Sequence, residues 1–162
     1  MTLRVATAVG VNNIAEGGTT DFTAPGLGPA AEIQAALVIS NADESGTGSN
    51  NVISSVGMWD AVGDAQLVNA KFAFNGASTA NIAAGHVAQT GAVVKRTVAN
   101  SSDIRVLASV DSPIDDGIRI RTDSFGVAAG GGSNSARSIP IGAFIFAGSD
   151  VRAEVVLSLI HI

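Results

Sequence analysis

The chain has 162 residues and a formal net charge of -5, and only 14% of its residues are charged. A chain of this length can bury one core without disulfides. The absence of Cys excludes disulfide bonds. The acidic balance argues against nucleic acid as a partner, and no apolar run approaches the roughly 18 residues of a membrane-spanning helix, which argues against membrane insertion.

The N-terminal part of the chain is predicted to be extended. Leu3 to Val9 and Thr19 to Thr23 have the composition of short strands, with Asn and Gly between them to form a turn. Residues 30–40, AAEIQAALVIS, fit two structures. Pro29 suits the start of a helix, whereas the alternate apolar positions from Ile33 to Ile39 suit one face of a strand. The β-rich surroundings favour the strand.

The middle of the chain alternates between apolar and flexible segments. Asn41 to Asn51 is polar and is predicted to be an exposed loop. Val52 to Trp59 and Leu67 to Phe74 are predicted strands that flank a turn. Ala77 to Gly91 is rich in Ala and Gly without a clear period, which indicates a long connection with room for one irregular helical turn. Ala92 to Val98 is again a predicted strand.

The strongest two-residue alternation lies between Asp103 and Asp123. Apolar residues from Ile104 to Val110 alternate with polar ones, and after a turn Ile118 and Ile120 alternate with arginines. One face of each segment can therefore be buried while the other stays in water. This pattern predicts an antiparallel hairpin.

The C-terminal part begins with a flexible run, Gly130 to Gly132, which two predicted strands follow, Ser138 to Phe146 and Val151 to Val156. Residues 139–148, IPIGAFIFAG, carry no charge and only one Pro to guard an edge, so they are predicted to be a central or an intersubunit strand. About ten short strands and no long helix predict an all-β fold, an antiparallel β-sandwich or jelly roll.

The last six residues, LSLIHI, differ in composition from the rest of the chain. They match a hexapeptide that the common transposase sequencing adapter encodes in one reading frame. The alternative is that they continue the strand from Val151. We expect residues 1–156 to form a single sandwich domain and residues 157–162 to be a non-native tail from adapter read-through.

The sequence offers little for catalysis. His161 lies in the suspect tail, so His86 is the imidazole that remains for acid-base chemistry. It stands in a Gly- and Ala-rich segment with no nucleophile or carboxylate at a recognisable spacing, which favours a solvated loop histidine. We therefore predict that the protein is not an enzyme, has no catalytic residue and binds no cofactor.

Other candidate site residues are acidic or aromatic. Asp111, Asp115 and Asp116 crowd one predicted turn and could offer oxygen ligands to calcium, although tight turns use Asp for local hydrogen bonds, and turn chemistry is favoured. Trp59 could stack on a sugar ring or fill the core or an interface, and the core or interface role is favoured. The predicted interaction residues are Trp59, Phe144 and Phe146.

Four motifs resemble a β-sandwich domain that recurs in structural and tail-associated proteins of tailed bacteriophages, over Thr19 to Val156. They are a Gly- and Pro-rich turn into an apolar strand in TTDFTAPGLGPAAEIQAALVIS, a Gly-aromatic-Asp element in VGMWDAVGD, the Asp-Gly-hydrophobic turn in DDGIRIRT, and a closing apolar strand in IGAFIFAGSDVRAEV. The chain departs from the pattern at Glu32 and Gln34, where the family carries Lys and aromatics, and at Ile118, where an aromatic is frequent.

The resemblance implies a non-enzymatic component of a phage virion, such as a capsid decoration, neck or tail-appendage subunit. Its partners would be other virion proteins and further copies of itself, and the resemblance brings no catalytic residue. The alternative function is a carbohydrate-binding module that reads host surface glycans, with Trp59 as its platform.

Overall fold

The computed structural model shows a chain that is extended almost throughout. It describes residues 3–12, 17–45, 50–74, 83–89, 91, 93–97, 104–125, 139–149 and 152. Apart from one 3-10 turn, Ala30–Glu32, the regular structure in these residues is β-strand. Within these ranges, no helix has the length and hydropathy needed to cross a bilayer.

The strands are numbered in chain order. Their bounds are β1 Arg4–Asn12, β2 Thr19–Thr23, β3 Ile33–Ser45, β4 Asn50–Asp60, β5 Gln66–Phe74, β6 Ala83–Gln89, β7 Val93–Thr97, β8 Ile104–Ile114, β9 Gly117–Phe125 and β10 Ile139–Ala147.

The strands form two antiparallel sheets. Sheet A has the order β1-β10-β3-β4-β5-β6, and sheet B has the order β2-β9-β8-β7. Early and late strands lie side by side in both sheets, since β1 pairs with β10 and β2 pairs with β9. The predicted all-β class is confirmed, and the two sheets pack as in a β-sandwich.

One hydrophobic core lies between the sheets. Sheet A contributes alternate residues such as Val38 and Ile145, and sheet B contributes residues such as Phe22, Ile118 and Ile120. Several core positions on β1, β3, β8 and β10 are alanines. Such small side chains let two sheets approach closely, and alternation along each strand sends every second residue into this layer.

Two predictions about strands are confirmed. β8 and β9 form the expected antiparallel hairpin, and Ala108, Val110, Ile118 and Ile120 are buried on its inner face. β10 is a central strand, because β1 covers one of its edges and β3 the other. An uncharged apolar strand at that place exposes no bare edge.

Two predicted connections are wrong. Asn41 to Ser45 extends β3, and it pairs with the start of β4, where a loop was predicted from Asn41 to Asn51. Ala83–Gln89 forms β6 against β5, within a segment predicted to be a connection with a helical turn. The ladder is made by backbone groups, so pairing can continue through polar or small residues that carry no strand pattern.

Several predictions lie outside the described residues. They concern Gly130 to Gly132, most of the strand predicted from Val151 to Val156, and the tail from Leu157 to Ile162. Of the predicted closing strand the structure describes only Arg152, which is not part of a strand.

The turn between β8 and β9 is bound to the loop that follows β2. Asp116 has a φ of 59°, and its Oδ1 accepts hydrogen bonds from the N–H groups of Gly26 (3.2 Å) and Gly28 (2.7 Å). Its backbone N–H donates to the Gly28 carbonyl at 2.7 Å, and its carbonyl accepts from Ala24 N–H at 2.8 Å. The hairpin turn and the loop therefore hold each other in one arrangement.

β9 begins at Gly117, where the backbone of β2 comes very close. A Cβ at this position would lie 2.9 Å from Thr23 Cα and 3.0 Å from the carbonyl carbon of Phe22. Backbone atoms paired in a sheet cannot move aside as a flexible side chain can. Glycine at this position is therefore a condition for the pairing of β2 with β9.

A second contact joins the two sheets. Gln66, on β5, accepts a hydrogen bond through Oε1 from the N–H of Val110 on β8, and its Nε2 donates to the Val110 carbonyl, both at 2.8 Å. Val110 pairs with β9 on its other side, and the pairing of β8 with β7 reaches only to Ala108. The side-chain amide of Gln66 thus satisfies the backbone N–H and carbonyl of Val110, as a neighbouring strand would.

Replacing Gly117 with Ala should destabilise the fold by about 3 kcal/mol, because the added methyl overlaps backbone atoms of β2. Urea unfolding measures the change. The control is Gly142→Ala, since a Cβ at Gly142 meets no atom within 4 Å. Equal stabilities for the two variants would contradict the close approach of β2 and β9.

Gln66→Leu should cost about 2 kcal/mol, because it leaves a buried N–H and a buried carbonyl of Val110 without partners. The Val110 amide should also lose protection from hydrogen exchange. Gln34→Leu is the matched control, because the Gln34 side chain makes only a long, exposed hydrogen bond of 3.4 Å to Ala31. Unchanged protection of Val110 in Gln66→Leu would count against the bridging role.

Candidate interaction surface

Where side chains are described, the outward side of sheet A carries mostly apolar residues across β1, β10, β3, β4 and β5, and we call this part the apolar face. It consists of two rows of residues that are neighbours across β1, β10, β3, β4 and β5. The Phe144 row contains Thr7, Phe144, Leu37, Met58 and Leu67, and the Gly142 row contains Val9, Gly142, Ile39, Val56 and Asn69.

Among the strand residues whose side chains the structure describes, the large apolar ones that are most exposed lie on this face or next to it. Val9 is 82% exposed, and Val56, Met58 and Phe144 are each 40–43% exposed. Val5 and Phe146 extend the face by one further row. A sheet face in contact with water normally carries polar residues, so this face has the composition of one that another surface covers.

β10, the strand that carries Phe144, is apolar on both sides. In β10, Ile141, Ala143 and Ile145 point into the core, and Phe144 and Phe146 point outward between them. A continuous apolar run of this kind is typical of a strand that is buried on both faces. Here the sandwich covers only one of the two.

The outward side of sheet B is charged instead. Arg119 and Asp21 lie opposite each other on β9 and β2 and form a two-pronged ion pair, with Nε to Oδ1 at 2.6 Å and Nη2 to Oδ2 at 2.9 Å. Arg121 Nη1 lies 3.3 Å from Asp111 Oδ1, and Arg121 Nε lies 3.1 Å from Asp123 Oδ1. The two outer surfaces of the sandwich therefore differ sharply in polarity.

The hydrogen bonds from Arg119 lower the pKa of Asp21 below its ordinary value. The slight desolvation of the carboxylate opposes this effect, and the positive charge of Arg119 adds to it. The same contact raises the pKa of Arg119. Both groups stay ionised across the neutral pH range, so this side of the molecule stays charged.

The predicted interaction residues lie on different surfaces. Phe144 and Phe146 are on the apolar face, whereas Trp59 points into the core and is only 3% exposed. The Trp59 Nε1–H donates to Asp64 Oδ1 at 2.9 Å. Trp59 therefore takes the favoured role of a core residue, and its ring presents no open face to a sugar.

The acidic candidates are used in local structure. Asp116 binds the loop after β2, Asp115 Oδ1 accepts a hydrogen bond from the N–H of Ala30 at 3.0 Å, and Asp111 lies beside Arg121. Within the described ranges, no group of three or more His, Asp or Glu side chains could hold a metal ion. The contacts of Asp115 and Asp116 are the turn chemistry that was favoured from the sequence, whereas Asp111 lies in β8 and forms an ion pair with Arg121.

His86 lies in β6, in register with Lys71 on β5, and not in the predicted loop. The loop prediction for His86 is wrong for the same reason as the prediction of a connection from Ala77 to Gly91. The backbone of β5 offers a pairing edge, and a strand of small residues can occupy it.

Sequence analysis missed Val5, Val9, Val56 and Met58 as surface residues. The available signal was a run of apolar residues at both alternating positions, as in ALVIS and GAFIFA. Such a run shows that both faces are apolar. It does not show which of the two faces meets the second sheet.

No protein-family model, curated protein or solved structure matches the chain. The relation to the phage sandwich domain stays a prediction.

Arg119→Gln should raise the pKa of Asp21 toward its ordinary value, because the hydrogen bonds and the charge that lower it are weakened or removed. In the unchanged protein the folded-state pKa of Asp21 is depressed. The pair's contribution to stability is therefore present above the unfolded-state pKa and is lost as the pH falls through the folded-state pKa. A carboxyl-carbon NMR titration measures the shift.

Arg121→Gln is the control for this titration, because Arg121 pairs with Asp111 and Asp123 and not with Asp21. It should leave the titration of Asp21 unchanged. Equal effects of the two substitutions would show that overall charge, and not the ion pair, sets the pKa.

Proposed function

We propose that this protein is a non-enzymatic structural subunit of a phage particle and acts through subunit contacts. The observation that supports it best is the apolar face of sheet A. An apolar area shared by five neighbouring strands is costly to leave in water, and contiguous patches of this kind mark sites of protein association. The capsid, the neck and the tail appendages are the proposed locations.

The motifs that carry the resemblance support the same proposal. DDGIRIRT contains the turn that binds the loop after β2, and IGAFIFAG contains most of β10, which places Phe144 and Gly142 on the apolar face. These segments build a sandwich and its outer surface. The proposed partners are other virion proteins and further copies of this chain.

A jelly-roll arrangement is the finer form of the fold that we propose. It is supported by the nested pairing of β1 with β10 and of β2 with β9, which places the outermost strands of the chain together in each sheet. The inner strands follow a simpler path, since β3, β4, β5 and β6 are consecutive neighbours in sheet A.

The carbohydrate-binding alternative depended on Trp59 as a stacking platform. Trp59 is buried in the core, and its indole N–H is bonded to Asp64. No observation in the structure favours glycan binding over subunit contacts.

Mass spectrometry of purified particles tests the proposal. Nuclease-treated phage particles from a culture or enrichment that carries the gene are banded on a density gradient and digested with trypsin. We expect the peptide of residues 122–137, TDSFGVAAGGGSNSAR, to band with the major capsid protein. Its recovery from the soluble fraction alone, with capsid peptides in the band, would contradict a role in the virion.

A further inference from the structure

The apolar face carries a projecting side chain beside a hollow. Phe144 stands on the face and is 40% exposed. Gly142, two residues earlier on the same strand, has no side chain, and a Cβ built there meets no atom within 4 Å. Two residues along a strand cover about 6.7 Å, so the projection and the hollow are close neighbours on one surface.

We propose that the apolar face binds the same face of a second copy of this chain, with each Phe144 seated over the Gly142 of its partner. This deepens the proposed function, on which it rests, by naming a partner for the subunit contacts. The two-fold axis lies between the two faces, crosses the strands and passes over Ala143. Such a contact is isologous, so one projection and one hollow serve both copies.

The same axis brings the two rows of the face together. The Phe144 row of one copy lies over the Gly142 row of the other, within the roughly 30° at which twisted sheets pack. Leu37 then faces the partner's Ile39, and Met58 faces the partner's Val56. Every strand is placed over its own copy, and the three central strands meet only through apolar residues and Gly142.

The lack of charge on the face is compatible with a second copy as the occupant. The chain has a net charge of -5, so two copies repel each other in most orientations. Neither row of the apolar face contains a charged residue. The ion pairs of sheet B lie on the far side of the sandwich, farther from the contact than the Debye length of about 8 Å at physiological salt. This orientation therefore brings no like charges from the two rows into contact.

The size of the face determines the strength of the contact. Five strands at about 4.8 Å spacing and about 17 Å along the strands give a projected area of roughly 400 Å². Stable interfaces cover about 800 Å² on each partner. The dimer is therefore weak in free solution and forms in the micromolar to millimolar range, and it is favoured where many copies are held close together.

Sedimentation velocity over this concentration range tests the inference. The unchanged protein should pass from monomer to dimer. Gly142→Leu should raise the dissociation constant at least about tenfold, because the leucine fills the hollow that receives the partner's Phe144. The monomer should keep its thermal stability, since there is open space above Gly142. Phe144→Ala should weaken the dimer as well.

The double variant Gly142→Leu with Phe144→Ala separates this geometry from a general loss of contact. The introduced leucine would then face the small side chain left at position 144 of the partner. We therefore expect the double variant to dimerise more tightly than Gly142→Leu alone. A double variant weaker than either single variant would overturn the proposed seating.

Met58→Glu is an independent test that does not depend on the hollow. Met58 is 42% exposed, so the monomer should fold, but the dimer would bring two added charges into an apolar contact. Val62→Glu is the matched control, because Val62 is 74% exposed in the turn after β4 and lies outside both rows. Equal effects of the two would overturn the assignment of the face.

The outcomes distinguish this inference from the proposed function. A chain that remains monomeric up to millimolar concentration, or dimers that Gly142→Leu and Met58→Glu leave intact, would overturn the inference, even if the protein is found in particles. Dimers that respond as expected, with no peptide in the particle band, would support the inference and contradict the role in the virion.

Discussion

The sandwich depends on the contact between the β8–β9 turn and the loop after β2. Asp116 uses its carboxylate, its N–H and its carbonyl to bind three residues of that loop, and Gly117 lets the backbone of β2 lie beside it. The contact spans about ninety positions of sequence, which makes its closure costly in chain entropy. Once it is formed, it fixes β2 against β9 and sends the chain across to β3 in sheet A.

The same contact explains why acidic residues cluster at this turn. A carboxylate that accepts two N–H bonds satisfies donors that a loop of glycines and prolines cannot pair within itself. A positive φ at Asp116 suits a short polar side chain. Asp115 and Asp116 are thus part of the scaffold, and the DDGIRIRT segment serves the fold through this contact.

The two outer surfaces of the sandwich differ in polarity. Sheet B is solvated through ion pairs across β2, β8 and β9, whereas sheet A exposes apolar residues on β1, β10 and β4. Both sheets obey the same alternation, and both bury their inner residues in one core. The difference lies only in the outward positions, which do not contribute to that core. Those positions are where a subunit contact can be specified without a cost to the fold.

The sequence by itself determined the all-β class and the β8–β9 hairpin, and it limited β10 to a central or an intersubunit strand. Each depends on local alternation, on turn residues or on the lack of charge along a strand, and all of these are visible in a single segment. The sequence did not predict β6 or the extension of β3, because backbone pairing there includes small and polar residues that carry no strand pattern. Phe144 and Phe146 were predicted as interaction residues, but their neighbours on the face were not.

Only the tertiary structure decided which side of each apolar strand faces the second sheet. In GAFIFA the residues at both alternating positions are apolar, so the sequence cannot say whether the alanines or the phenylalanines are enclosed. The structure encloses Ala143 and Ala147 and turns Phe144 outward. The pairing of Ala143 with Ala8 and Val38 fixes this choice, because the inner layer is narrow and a shift of one residue would bring phenylalanine into it. The tertiary structure also decided that Trp59, an isolated aromatic in the sequence, belongs to the core.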